Sequence, residues 1–481
     1  METNESTTTD AKNQTDPGNI RLRIHNAPRS ERYEMGKQLR KACPRSSHTK
    51  WQAPVKRQNP IDLLLASEEG RIPDLLPLRH GRMARSPFTF YRGSAFNMAS
   101  DLASTPVSGM FVQACGDAHL CNFGGFATPE RNVIFSINDL DETLPAPWEW
   151  DVKRLAASFV VASRNNNLSA SDAREAAMNC VRSYRMNMAA YSEMKVLELW
   201  HVSLTADMMI SKLKDPKLMA RGLKRVEKER GRSIAEDIFP QLGKGPGKST
   251  FIKDNLPSIF HVEGHTPGEI AETVREAYEL YLQTLPPVYR FLLDRYELKD
   301  AAIKVVGVGS VGTACFVLLF MTNDGDTLFL QVKEARPSVL EPFAGKSIYP
   351  NHGQRVVNGY RIIQPFSDPF LGWTKGKFGR HFFFRQLRDI KISLRVETFG
   401  KVEMIAYADW CGQALALSHA RSGDAAMLSG YMGTSDTFDK AIAGFSIAYA
   451  DQNEKDYASL QRAIKTGKIE ARFEEQEQRK H

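Results

Sequence analysis

One segment, residues 305–335, constrains the fold of this 481-residue chain more than any other. It reads VVGVGSVGTACFVLLFMTNDGDTLFLQVKEA and spaces its glycines as Gly307-x-Gly309-x-x-Gly312. Two β-rich runs follow the glycines, and an Asn-Asp-Gly-Asp turn separates them. In a dinucleotide-binding unit such glycines open a helix, so this pattern argues against that unit. The segment predicts a glycine loop followed by strand, hairpin and strand.

Lys333 ends the second β-rich run, 21 residues after Gly312. A glycine loop can bring its backbone N–H groups close to phosphates because no Cβ intervenes. In protein kinases such a loop covers the ATP phosphates, and a lysine on a nearby strand contacts them. We therefore predict that ATP is bound by a set made up of Gly307, Gly309, Ser310, Gly312 and Lys333.

Two further assignments complete the predicted nucleotide site. Glu341 is a candidate ion-pair partner for Lys333, and Glu334 is its competitor. The segment GYRIIQPFSDPFLG, residues 359–372, is expected to supply the hinge strand that lines the adenine pocket.

A second motif, CGDAHLCN, predicts the catalytic loop (residues 115–122). It places Asp117 five residues before Asn122, the offset that kinase catalytic loops use. In that chemistry the aspartate accepts the proton of an acceptor hydroxyl, and the asparagine holds a Mg²⁺ ion. The motif also resembles the G-D-x-H-x-x-N of aminoglycoside and choline kinases, with Cys115 where those enzymes usually carry histidine.

The metal site is predicted just beyond this loop. Asp139 follows the strand-like run NVIFSI, 22 residues after Asp117, and resembles the metal-binding aspartate of kinases. Asp141 is placed to share the magnesium or to replace Asp139. The alternative is an acidic turn that only caps the strand. Asp151, at the start of a predicted amphipathic helix over 151–163, resembles the aspartate that braces the catalytic loop in this superfamily.

The order of these motifs is reversed relative to a standard kinase, in which the glycine loop comes first. Circular permutation is tolerated when the chain termini are close together at the surface. It predicts that the helix preceding the catalytic loop lies near the C-terminus, and residues 406–423 fit that helix. The predicted fold is α+β: a bilobal, circularly permuted protein-kinase-like fold with a helix-rich large lobe and a small antiparallel-sheet lobe.

The predicted organisation has five parts. They are a disordered tail (1–30), the catalytic-loop part of the large lobe with a helical elaboration (31–295), the small nucleotide-binding lobe (296–375), the remaining helices of the large lobe (376–467) and a charged tail that frays (468–481).

Composition excludes several classes. With 42% apolar and 25% charged residues the chain is no collagen, coiled-coil rod, disulfide miniprotein or wholly disordered protein. A net charge of +8 suits an anionic ligand such as a nucleotide. Six scattered cysteines predict free thiols in a reducing, cytoplasmic setting. A zinc site on Cys115, His119 and Cys121 is the alternative, although its ligand spacing is not a familiar one. No apolar stretch predicts a membrane span.

Long stretches of the chain resemble a bacterial family known as domain of unknown function 2252. The resemblance covers roughly residues 35–460 and lies in MARSPFTFYRGSAFNMASDLA (83–103), CGDAHLCNFGGFATPERNVIFSINDLDETLPAPWEWDVKRLAAS (115–158), LQVKEARPSVL (330–340), QRVVNGYRIIQPFSDPFLGW (354–373) and RQLRDIKIS (385–393). The family name supplies no activity; it implies a relation to the protein-kinase-like superfamily.

Together these features predict an ATP- and Mg²⁺-dependent phosphotransferase whose acceptor hydroxyl compound is unknown. A nucleotidyl transferase on the same fold and a nucleotide-binding regulatory pseudokinase stay open. An unrelated α/β enzyme or a nucleic-acid binder has support only from the basic stretch 212–232, which lacks interleaved aromatic residues. Arg82 and Arg92 could bind a phosphate or an acidic substrate, or could tie loops to carboxylates.

Overall fold

The computed structural model describes residues 26–231, 243–244, 251–261, 267–305, 307–387 and 390–474. It is a mixed α+β structure with a helical region and antiparallel sheets. Of the predicted disordered tail, residues 1–25 lie outside the described residues, and the first described helix begins at Arg29.

The described helices are α1 (Arg29–Gln38), α2 (Pro60–Ala66), α3 (Leu76–Met83), α4 (Pro87–Gly93), α5 (Ala95–Leu102), α6 (Trp148–Asn165), α7 (Ala170–Glu193), α8 (Val196–His201), α9 (Ala206–Ser211), α10 (Pro216–Arg230), α11 (Pro267–Leu282), α12 (Pro287–Leu293), α13 (Glu341–Ala344), α14 (His352–Ile363), α15 (Lys401–Ser422), α16 (Ala425–Met432) and α17 (Thr437–Lys465). The described strands are β1 (Phe111–Ala114), β2 (Phe123–Ala127), β3 (Val133–Ile137), β4 (Leu144–Pro147), β5 (Gly243–Lys244), β6 (Phe251–Ile252), β7 (Ile259–Phe260), β8 (Glu297–Lys304), β9 (Cys315–Met321), β10 (Thr327–Ala335), β11 (Gly372–Lys375), β12 (His381–Gln386) and β13 (Lys391–Ile392).

The largest sheet has six strands in the order β11-β12-β10-β9-β8-β7, and every neighbouring pair is antiparallel. The predicted hairpin is confirmed, because β9 pairs with β10 and sets Cys315 opposite Lys333. Alternate residues of β10 enter separate apolar clusters, Leu330 on one face and Phe329 on the other. The sheet is therefore covered on both faces, and it extends past the predicted lobe boundary at 375 to include β12.

The helical region is built around α6. The prediction of a helix at 151–163 is confirmed, but its amphipathic character is wrong, because residues from Trp148 to Ser163 are all buried. Helices α7, α17 and α4 pack around it. The predicted C-terminal helix is α15, and its last turn lies against β1, where the backbone N–H of Gln113 donates to Ser422 Oγ at 3.1 Å.

The first part of the C-terminal tail is packed, contrary to the prediction that it frays from residue 468. Ile469 is buried with helices α2, α3 and α17, and the N–H of Arg472 donates to the Pro77 carbonyl at 2.8 Å. The Glu474 carboxylate pairs with Arg82 and Arg85. Residues 475–481 lie outside the described residues.

The cysteines and the helix lengths bear on two predictions made from composition. All six cysteines are free thiols, and five are buried. None of the helices in the described ranges combines the length and apolar character needed to cross a bilayer.

Candidate functional site

The catalytic loop leaves β1 through a tight turn that only glycine fits well. Gly116 has a φ of +82°, and a Cβ there would lie 2.3 Å from the backbone oxygen of Glu142. The Asp151 carboxylate of α6 accepts the backbone N–H groups of Cys115 at 2.6 Å and Gly116 at 3.0 Å. Asp151 thus braces the loop as predicted.

Asp117 is held by a buried arginine that the sequence prediction missed. Arg154 Nε donates to Asp117 Oδ1 at 2.6 Å, and the two side chains form an ion pair. Arg154 lies three residues after Asp151 on the same helix, so both side chains face the loop from one side of α6. That i,i+3 spacing was the signal available in the sequence.

Asn122 stands directly beside Asp117. Its Nδ2 donates to the Asp117 backbone carbonyl at 2.9 Å. This fixes the amide and leaves its side-chain oxygen without a hydrogen bond from any described residue. The oxygen is therefore the atom of Asn122 that is available to a metal ion.

Lys333 meets the two predicted metal aspartates rather than a glutamate. Its Nζ lies 3.5 Å from Asp139 Oδ1 and forms a closer ion pair with Asp141. Burial alone would lower the pKa of Lys333, but the two carboxylates outweigh burial and raise it. Glu341 does not pair with Lys333: its carboxylate lies 3.6 Å from His352 Nδ1.

The two aspartates differ in electrostatic environment. Burial and the neighbouring charge of Asp139 raise the pKa of Asp141. The pKa of Asp139 is lowered, since Lys333 and Arg385 outweigh the effect of burial there. The two carboxylates lie close together beside Lys333 and Arg385, and carboxylate oxygens are ligands that a divalent cation accepts.

Asn122, Asp139 and Asp141 together fit a magnesium ion by donor chemistry. They offer two carboxylates and an amide oxygen, the hard ligands that Mg²⁺ prefers. Asp141 Oδ1 is buried and has no hydrogen-bond partner among the described residues. Within the same described ranges, no three His, Cys, Asp or Glu side chains converge as a metal site. The zinc alternative on Cys115, His119 and Cys121 is therefore not supported.

The glycine loop (residues 307–312) connects β8 to β9. Gly307 and Gly312 have φ values of +65° and +89°, in the left-handed region that favours glycine. Gly309 has an ordinary φ, but a Cβ on it would lie 3.2 Å from the Arg92 backbone oxygen.

Donors from outside the sheet bind the carbonyls of this loop. The backbone N–H of Ile72 donates to Gly312 O at 2.7 Å, and the Arg71 guanidinium donates to Val311 O at 2.6 Å. Arg82 donates to Gly307 O at 2.8 Å and also pairs with Glu474, so it ties the loop to a carboxylate.

One cavity of about 530 Å³ brings most of the predicted site together. From the predicted set, its walls include Asp117, Asn122, Asp139, Asp141, Gly309, Ser310 and Glu341. Gly307 and Gly312 shape the loop without lining the cavity, and Lys333 reaches its edge through the two aspartates. We call this cavity the cleft.

The predicted hinge strand is wrong. Residues 359–363 continue α14, which ends at Ile363, and the following strand, β11, begins at Gly372 on the edge of the sheet. None of the residues from 359 to 372 lines the cleft.

Comparison with known proteins identifies a family without an activity. A family model described as an uncharacterized protein conserved in bacteria (DUF2252) matches residues 71–463. No curated protein and no solved structure matches the chain. The predicted catalytic loop, the two predicted metal aspartates, the glycine loop and Lys333 all lie inside the matched range.

Proposed function

We propose that this chain, which belongs to the DUF2252 family of bacterial proteins, is an ATP- and Mg²⁺-dependent phosphotransferase acting on a hydroxyl-bearing acceptor. One observation carries the proposal: the ion pair of Lys333 with Asp139, 194 residues apart in the chain. A phosphate-binding lysine and a metal-binding aspartate must reach the same triphosphate. Their contact at 3.5 Å meets that requirement.

The surrounding architecture supports a permuted kinase-like arrangement. The order strand, glycine loop, strand, hairpin and lysine-bearing strand is the one that a kinase nucleotide lobe uses. The last turn of α15 lies against β1, which leads into the catalytic loop, as permutation expects. One feature departs from kinases, in which a helix glutamate pairs with the lysine. Here α14 presents Arg355, which donates to the Asp141 carbonyl at 2.9 Å.

Each residue then has a role. Asp117 accepts the proton of the acceptor hydroxyl, with Arg154 fixing the orientation of its carboxylate. Asn122, Asp139 and Asp141 would hold Mg²⁺, which would supply positive charge to the transferred phosphoryl group. Lys333 would contact the nucleotide phosphates beneath the glycine loop once its carboxylate partners, Asp139 and Asp141, were engaged as ligands of the metal.

Thermal unfolding with and without Mg-ATP tests the binding step. A ligand at a hundredfold excess over its Kd stabilises the fold by about 2.7 kcal/mol, so a clear rise in Tm is expected. Lys333→Met should abolish this rise, whereas Lys299→Met, on the same sheet and outside the cleft, should keep it. No Tm rise in the unmodified protein at saturating Mg-ATP contradicts the proposal.

Transfer is tested separately, by incubating the protein with metabolite pools and ATP labelled at the γ- or the α-phosphate. Phosphoryl transfer moves the γ label, and nucleotidyl transfer moves the α label. Binding without transfer of either label indicates a nucleotide-binding regulator. Asp139→Ala should abolish the Mg²⁺ dependence of nucleotide binding; intact dependence assigns that role to Asp141.

A further inference from the structure

Arginines line the cleft on the side formed by residues 66–96, and the proposed phosphotransferase chemistry does not use them. They are Arg71, Arg79 and Arg92, and a fourth arginine, Arg336, lines the cleft from another segment. Arg79 forms an ion pair with Glu68 at 2.5 Å. Arg71 and Arg336 donate to backbone carbonyls of Val311 and Ser67.

Arg92 differs from the other three. Among the described residues, its guanidinium has neither a hydrogen bond nor a carboxylate within ion-pair distance. Its Nε is buried without an acceptor, as is the Nε of Arg79, but Arg79 keeps its ion pair with Glu68. The Arg92 guanidinium lies over the Phe88 ring, 6.0 Å from the ring centroid. A buried N–H group without an acceptor is costly, and an anionic oxygen would supply an acceptor that also matches the charge of the guanidinium.

The position of Arg92 is on the Asp117 side of the cleft. It follows Tyr91, whose carbonyl accepts a hydrogen bond from Arg154, the arginine that holds Asp117. In the catalytic loop, burial of the His119 ring lowers the pKa of His119 to about 4; the charges of Arg92 and Arg154 act in the same direction, against that of Asp117. The Arg92 carbonyl also packs on Gly309. The Arg92 backbone therefore lies between the glycine loop and the arginine that holds Asp117, and Arg92 lines the same cleft as Asp117.

We infer that Arg92 binds an anionic group of the acceptor, a carboxylate or a phosphate monoester, while the acceptor hydroxyl faces Asp117. This inference rests on the proposed function and names its substrate class. The nucleotide charges already have Lys333 and the metal, and Asp117 already has Arg154. Among the four arginines of the cleft, Arg92 alone has no hydrogen-bond or ion-pair partner in the described residues. Its guanidinium fork suits both anionic groups better than the exposed ammonium of Lys346, which also lines the cleft.

Calorimetric titration of the protein loaded with Mg-AMP-PNP tests this inference. The probes are glycerol 3-phosphate, glycerate and, as the uncharged control, glycerol. At least one charged probe should bind about tenfold or more tightly than glycerol, the effect of a charge-assisted hydrogen bond. Arg92→Gln should remove that preference without changing the affinity for Mg-AMP-PNP. Arg85→Gln, a nearby arginine outside the cleft, should change neither.

The outcomes separate the two proposals. Absence of Mg-AMP-PNP binding to the unmodified protein contradicts the proposed function. Normal nucleotide binding with no preference for a charged probe overturns the anionic acceptor alone. Weaker nucleotide binding in Arg92→Gln with an unchanged probe preference assigns Arg92 to the nucleotide and also overturns it.

A measurement on the unmodified protein covers the case in which Arg92→Gln does not fold. The preferred charged probe should protect Arg92 from phenylglyoxal in the nucleotide-loaded protein, as read by peptide mass mapping. Equal modification with the charged probe and with glycerol overturns the inference.

Discussion

The two loops that face each other across the cleft are fixed in different ways. The catalytic loop is held from within the helical core by the Asp151 carboxylate and by Tyr407, whose hydroxyl donates to the Leu120 carbonyl at 2.9 Å. The glycine loop is held from outside its sheet, because Ile72, Arg71 and Arg82 donate to its carbonyls.

The two loops differ in the cost of breaking the hydrogen bonds that hold them. The donors and acceptors around the catalytic loop are buried, so breaking those bonds leaves unpaired groups away from water. The bond from Arg82 to the glycine loop is exposed, so water can replace it at little cost. The geometry of the catalytic loop is therefore set by folding. In the glycine loop, the Gly307 end depends on a bond that water can replace, whereas the bond from Arg71 to Val311 is partly buried.

The largest effect is expected from the carboxylate that the rigid loop presents. Asp117→Ala should keep Mg-ATP binding and reduce the transfer rate about 10²–10⁴-fold, the usual contribution of a general base. Single-turnover transfer of the γ label measures it, with Asp172→Ala, a partly exposed residue in the first turn of α7, as the control. Unchanged turnover shows that the loop positions some other catalytic group.

The second-largest effect is expected from replacing Asp151, the residue that braces the catalytic loop. Asp151→Ala leaves two buried N–H groups without acceptors, at about 1–3 kcal/mol each, so the free energy of unfolding should fall by about 2–6 kcal/mol. Urea denaturation measures the loss. A change below about 1 kcal/mol contradicts a loop fixed by buried acceptors.

The hairpin after the glycine loop and the helix that braces residues 115–122 could be predicted because their signals are local. The offset from Asp117 to Asn122, the hairpin after the glycines and the helix at Asp151 each depend on residues close together in the chain. The resemblance predicts the bracing by Asp151, and the i,i+3 spacing from Asp151 could have predicted that Arg154 faces the same loop.

Ion pairs between residues far apart in the chain could not be predicted from the sequence. The partner of Lys333 was predicted nearby, at Glu341, whereas the structure supplies Asp139 and Asp141 from a distant segment. The hinge strand failed for another reason: the apolar pattern at 359–363 also suits a buried helix, and packing against the sheet selects the helix. Periodicity alone cannot settle such short runs.

The buried state of the catalytic loop also predicts a dependence on pH. Burial lowers the pKa of His119 to about 4, below its unfolded value of 6.5. The unfolded chain binds the proton more tightly than the folded chain does. His119 therefore does not reduce the free energy of unfolding above about pH 6.5, and the free energy of unfolding falls as the pH decreases towards 4. The loss is about 3 kcal/mol at most.

His119→Asn should reduce this acid sensitivity, because asparagine can still accept the Cys121 N–H that His119 Nδ1 accepts at 3.2 Å. Urea denaturation near neutral pH and at about pH 4.5 measures the difference between the two proteins. Equal losses of stability in both place the acid sensitivity elsewhere, with buried His48 as the next residue to replace.

The smallest effect is expected in the glycine loop. Arg82→Gln removes the donor to Gly307 O and should lower the free energy of unfolding by no more than about 1 kcal/mol, because that bond is exposed. Amide hydrogen exchange should become faster in the glycine loop and stay unchanged in the catalytic loop. Arg85→Gln is the matched control, since Arg85 also pairs with Glu474 but has no described bond to the loop. If both variants speed exchange equally, the Glu474 contact restrains the loop, and the direct bond from Arg82 does not.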